Sequence, residues 1–161
     1  MNYYAGFWIR VAAYLIDIVV LYIAQFAIFA VLGVSLFASG SLESGASDVF
    51  ATTGGTLAYL VTLVGTILYY VLMESSERQG TLGKIALGLI VTDSAGNRIS
   101  AARATGRYFA KIVSAMILLI GFIMVAFTER KQGLHDLMAG TLVLKARPGE
   151  VGLDTLNQTF G

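Results

Sequence analysis

Hydrophobic positions along this chain fall into three long runs rather than the short alternations of a soluble domain. The first covers residues 7–32 and is broken only by Arg10, Asp17 and Gln25. As a helix it is long enough to cross a bilayer with some tilt. Tyr3, Tyr4, Phe7 and Trp8 precede or open it, where amphipathic rings favour a membrane interface. A small-residue polar loop is expected over 33–55, carrying Glu43 and Asp48 but no Lys or Arg. The second run, 56–73, places Tyr59, Thr62, Thr66 and Tyr69 or Tyr70 at helical spacing on one side. That stripe reads first as a helix–helix contact and second as the lining of a polar pathway. The third run, 108–127, can cross a bilayer once but not twice.

The polar connection over 74–107 holds Arg78, Lys84, Arg98, Arg103 and Arg107, with Lys111 just beyond. The positive-inside rule places it in the cytoplasm, with the acidic first loop outside and the N-terminus inside. Within it, 81–87 reads as a short surface helix with Lys84 towards lipid phosphates. A strand-like run follows over 88–93, then a turn at 94–97, then Ser100 as the N-cap of a helix through Ala101, Ala102 and Arg103. A second strand-like run lies at 140–145, and the tail from 147 to 161 is polar and without periodicity. A lone strand is not stable in water, which makes pairing of the two runs attractive without deciding it. Pairing requires the third apolar segment to begin and end on one face, as a re-entrant segment broken at Gly121. The other possibility is a plain third crossing, which would carry Arg130, Lys131, Lys145 and Arg147 outside.

Composition supports the membrane reading. Of 161 residues, 57% are hydrophobic and 13% charged, about half the charge of an ordinary soluble domain. A net charge of +1 argues against nucleic-acid binding, and the absence of cysteine excludes disulfides and thiolate metal sites. The first nine residues contain no Lys or Arg, unlike a cleaved signal peptide, so a retained anchor is expected.

The chemistry narrows to a few polar residues. A charge at mid-membrane costs about 2.5–3.5 kcal/mol on insertion scales, so it is paired or used. Arg10 and Asp17 share a helix face but lie about 10 Å apart along the axis, beyond a simple pair. Arg10 can snorkel to the interface, whereas Asp17 is deeper and needs protonation, a basic partner or water. Gln25 falls roughly on the same face. Gly80-Thr-Leu-Gly-Lys-Ile lacks the spacing of a phosphate loop. His135 and Asp136 are adjacent, so they do not face each other on a helix. One histidine and no cysteine leave no metal cluster, and no cofactor or enzymatic activity is expected.

Arg10, Asp17 and Asp136 in Leu-His-Asp-Leu-Met-Ala-Gly-Thr, with Thr-Leu-Gly-Lys at 81–84 and Gly-Leu-Ile-Val-Thr-Asp at 88–93, resemble the RDD family of small membrane proteins. The resemblance covers about residues 5–146. Leu82 and Leu137 depart from residues often found there, a proline and a basic side chain respectively. The resemblance implies a bacterial inner-membrane protein, with sodium/proton antiport suggested for some members. The expected fold is α-helical, with about three membrane segments and a small cytoplasmic β element. Arg10, Asp17 and Asp136 are the site residues, supported by Gln25, Thr81, Gly83, Lys84 and His135. Two functions follow. In one, an oligomer couples protons to a monovalent cation, with Asp17 titrating. In the other, a structural or assembly protein binds a membrane partner or lipid, and the charges form an internal latch that pairs Arg10 with Asp136.

Overall fold

A computed structural model describes residues 3–38, 47–116 and 120–150. Its elements run α1 (Phe7–Ala38), α2 (Ser47–Ser75), α3 (Leu82–Ala86), β1 (Leu89–Asp93), α4 (Ala101–Met116), α5 (Ile120–Phe127), α6 (Leu134–Ala139) and β2 (Thr141–Lys145). The chain divides into two compact units, Met1–Asp17 with Ile67–Gly161 and, separately, Ile18–Thr66.

Both early helices extend further than the apolar runs alone indicate. The loop expected over 33–55 contracts, because its small residues and the absence of proline let helix propagate from both sides. Residues 39–46 of that loop, and 151–161 of the expected tail, lie outside the described residues. Residues 7–31 of α1 form a helix long and apolar enough to cross a membrane, by length and composition. Its outward side chains are apolar, with Trp8, Tyr22 and Phe26 exposed at 79%, 72% and 76%. Such a surface is unfavourable in water and suits an apolar surrounding. In the second unit, the Thr62 hydroxyl donates to Gln25 Oε1 at 2.6 Å, which gives the polar stripe of α2 a helix-to-helix contact.

The first unit is built round a two-stranded antiparallel sheet, with Val91 opposite Val143 and Leu89 opposite Lys145. Alternate side chains enter two apolar clusters. Leu89, Val91 and Val143 join Ala5, Ala13, Val71, Ile99 and Ala104 on one face, while Ile90, Leu142 and Leu144 join Tyr4 on the other. Full burial of such side chains contributes about 1.5–3 kcal/mol each, far more than two strands gain by pairing alone. Both edges are covered. The Ala5 amide donates to Val143 O and the Lys145 amide to Tyr3 O, and the Val91 amide donates to Gln79 O.

The connections follow local chemistry. Asp93 Oδ1 accepts from the Ala95 and Asn97 amides in the expected turn. Ser100 Oγ accepts from the Arg103 amide at 3.2 Å and opens α4. Gly140 closes α6 at φ +59, a left-handed conformation that costs glycine little, and sends the chain into β2. The third apolar run is covered by α4 and α5, and residues 117–119 lie outside the described residues. Gly121, the expected break, lies within α5 instead.

Helix α4 has its polarity turned inside out. Ala104, Arg107, Ala110 and Ser114 are buried, while Phe109, Ile112, Val113 and Met116 are exposed. Its basic stripe therefore points into the protein.

Candidate functional site

Five elements of the first unit converge on one chain of ion pairs. The charged side chains come from α1 (Arg10), α6 (Asp136), α4 (Arg107 and Lys111), α2 (Glu74) and α3 (Lys84). Arg10 is turned inward, not outward to the interface. Its Nη1 donates to Asp136 Oδ2 at 2.5 Å, its Nε to Ala5 O at 2.9 Å and its Nη2 to Lys131 O. Arg107 Nη2 lies 2.7 Å from the other Asp136 oxygen, Oδ1. Asp136 Oδ2 also accepts from the Gly133 amide at 3.2 Å, so the carboxylate caps its own helix as it binds two arginines.

Arg107 extends the chain to a second acid, with Nη1 at 3.3 Å from Glu74 Oε2. Lys84 and Lys111 both donate to Glu74 Oε1, Lys111 at 3.2 Å. Lys84, expected to face lipid phosphates, is buried, because α3 lies against Glu74 at the end of α2. Lys111 Nζ also sits 4.8 Å from the centre of the Tyr70 ring.

Burial alone would raise the Asp136 carboxyl, yet Arg107 and then Arg10 hold it well below the usual carboxylate range. Burial pushes His135 down to about 3, with Arg107, Lys111 and Arg10 acting the same way and Asp136 opposing. His135 is therefore neutral at physiological pH, with Nε2 3.4 Å from Asp136 Oδ1.

Asp17 is not a member of this chain of ion pairs. Its carboxylate is buried and accepts three hydrogen bonds from uncharged donors: the Tyr69 hydroxyl at 2.8 Å and the Gly83 amide at 2.8 Å on Oδ1, and the Thr81 hydroxyl at 2.6 Å on Oδ2. Tyr69 in turn accepts from the Leu82 amide at 3.0 Å. Thr81 is the N-cap of α3, so Asp17 and Tyr69 satisfy the free amides of that helix from outside it. Gly83 permits the approach. A Cβ there would lie 2.0 Å from the Ala13 carbonyl oxygen and 3.0 Å from Asp17 Cγ.

The structure thus joins Arg10, Asp136, His135 and Lys84 in one network, and gathers Asp17, Thr81 and Gly83 in another. Gln25 lies in the second unit with Thr62. Reasoning from sequence missed Glu74, Arg107 and Lys111 as site residues. Their signal was present: Arg107 and Lys111 are four apart, flanked at helical spacing by Ala104 and Ser114, beside an apolar face. Among the described residues, no three potential metal-ligating side chains gather.

The sequence profile of the RDD family matches residues 4–140, and the chain belongs to that family. It is 42% identical to the uncharacterized protein YxaI of Bacillus subtilis (strain 168), over 87% of this chain and 96% of that protein. It is also 34% identical to the uncharacterized membrane protein YteJ of the same organism, over 88% of this chain and 80% of YteJ. No solved structure matches.

Two outcomes follow from this geometry. Gly83→Ala should lower stability by about 3 kcal/mol or more, because the added carbon meets backbone rather than a movable side chain. Melting in detergent measures it, and an unchanged transition would refute the close approach. Acid should also weaken the fold through His135. The unfolded chain takes up a proton near pH 6.5 that the folded chain refuses until about 3. Stability should be full above pH 6.5 and fall as pH drops towards 5, by up to about 1.4 kcal/mol per unit. His135→Gln should flatten that slope, and an equal slope in the variant would remove His135 as its source.

Proposed function

We propose that this chain is a multi-pass protein of the bacterial cytoplasmic membrane and acts as a structural or assembly module. Its Arg and Asp residues form an internal latch that holds a cytoplasmic platform for a membrane partner or lipid. The observation that carries this reading is the state of Asp17 and Asp136. Their carboxylates are already occupied by donors from the protein itself, three on Asp17 and two arginines with an amide on Asp136. A carboxylate that must release and rebind protons or cations needs an open side; a latch needs all its partners. The YteJ name and the apolar helix over 7–31 support the membrane setting.

The orientation follows from charge and pairing. Apart from Arg10, every Lys and Arg falls at or after Arg78. Pairing of β1 with β2 ties the chain before α4 to the chain after α5, which supports a re-entrant third segment and a cytoplasmic C-terminus.

Asp17 separates this reading from proton-coupled cation transport. In Asp17→Asn the amide oxygen still accepts from Tyr69 and Gly83, and its nitrogen can donate to the Thr81 oxygen. Stability should fall by about 1–2 kcal/mol for the lost charge, and at least twice as far in Asp17→Ala. Sodium/proton flux in proteoliposomes should be absent or the same in wild type and Asp17→Asn. Wild-type flux abolished by Asp17→Asn, with melting unchanged, would overturn the latch in favour of a titrating Asp17. A reporter fused to the C-terminus should be active only on the cytoplasmic side. Periplasmic activity would refute the re-entrant arrangement.

A further inference from the structure

Helices α4 and α6 pack side by side and leave an open groove of about 490 Å³ between them. That volume falls within the range of about 300–1,000 Å³ typical of small-molecule sites. On α4 the lining follows the spacing 103, 106, 110 and 113, one face of the helix, and flanks the buried stripe that carries Arg107. Gly106, Ala110 and Ala139 keep the groove open, and a Cβ at Gly106 would meet nothing within 4 Å. Phe109, Val113 and Met138 border it, and all three are exposed.

The lining is apolar except at Arg103, the residue nearest the start of α4. Its side chain is 43% exposed, and its ion pair with Asp93 is long, 3.5 Å from Nη1 to Oδ2. A solvent-facing pair of that length holds a guanidinium weakly. The other Asp93 oxygen already accepts from the Ala95 and Asn97 amides. Arginine carries five N–H donors in a planar fork that suits a phosphate. Arg103 precedes Phe109 by six residues, about 9 Å along the helix axis. The headgroup layer on each side of a bilayer is about 5–7 Å thick. A phosphate at Arg103 therefore leaves its acyl chain level with Phe109, Val113 and Met138. A partner helix fits less well. Seven of the described residues line the groove, against about 20–30 on each side of a standard protein interface.

We propose that the groove between α4 and α6 holds an acyl chain of a membrane glycerophospholipid, with Arg103 bound to its phosphate. This rests on the membrane reading above and names where the lipid sits. The phosphate takes guanidinium donors that Asp93 leaves, and the chain covers apolar surface that both helices leave bare.

The test uses the full-length protein in detergent, with phosphatidylglycerol or a diacylglycerol of the same chains added. Bound lipid is counted by native mass spectrometry. Wild type should retain phosphatidylglycerol about three- to fivefold better than diacylglycerol. Arg103→Gln should remove that preference while keeping the chain. Gly106→Leu should lower retention of both lipids about tenfold, because the leucine fills the groove. Leucine also favours the helix over glycine, so melting without lipid should not fall. Lys145→Gln, an exposed basic site on β2, should change nothing. Equal retention of the two lipids by wild type would overturn the proposal whether or not the variants fold. Undiminished phosphatidylglycerol retention in Gly106→Leu would do the same. Equal Arg103-dependent stabilisation by inorganic phosphate alone would assign the site to a free ion. A co-purifying polypeptide lost in Gly106→Leu, with lipid retention unchanged, would assign the groove to a partner helix. Failure of wild type to insert into phosphatidylglycerol vesicles would overturn the membrane reading itself. Normal insertion without loss in Gly106→Leu would remove only the groove site.

Discussion

The pairing of Asp136 with two arginines is the constraint on which the rest of the first unit depends. Arg10 arrives from the first helix and Arg107 from the fourth, and one buried carboxylate joins them. Removing one partner of such a pair leaves a buried charge uncompensated and costs about 3–5 kcal/mol. The cost also explains the register of neighbouring elements. Asp136 reaches both arginines only if Gly133 and Gly140 place the short α6 between α5 and β2, and Arg107 reaches Glu74 only if α4 turns its basic stripe inward.

Placing charge inside and apolar surface outside suits a chain whose surroundings are hydrocarbon. In water the hydrophobic effect would drive Phe109, Ile112 and Met116 inward and leave Lys111 outside. Here the sheet supplies an ordinary apolar core, with Leu89, Val91 and Val143 fully buried, while the helices around it expose apolar side chains. The ion network lies where the two kinds of packing meet. Among the described residues its members are held by one another, by backbone carbonyls, by the Gly133 amide and by one aromatic ring.

Asp17 shows a different solution to the same problem. Three uncharged donors replace its hydration shell, and two of them, Thr81 and the Gly83 amide, come from the start of α3. A carboxylate at that position both satisfies itself and caps the helix. The separation of Asp17 from Arg10 is then a division of labour. One acid fixes the loop that follows α2, and the other fixes the end of the third apolar segment.

Much of this was legible in the residues alone. The apolar runs located α1, most of α2 and the helices of the third segment, though not a break at Gly121, because long hydrophobic runs are a property of contiguous sequence. Two short strand-like runs of like pattern made their pairing attractive, and Ser100 marked the start of α4. The partners of each charge were less accessible. Glu74 looked like the first residue of a polar loop, and Arg107 and Lys111 looked like topogenic charges, because their function depends on which way α4 faces. That facing is decided by contacts between segments far apart in the chain, such as Arg10 with Asp136 and Asp17 with Gly83. Local sequence sets which residues are costly to bury. Only the tertiary fold, by bringing particular donors within hydrogen-bond reach of particular carboxylates, decides how each cost is met.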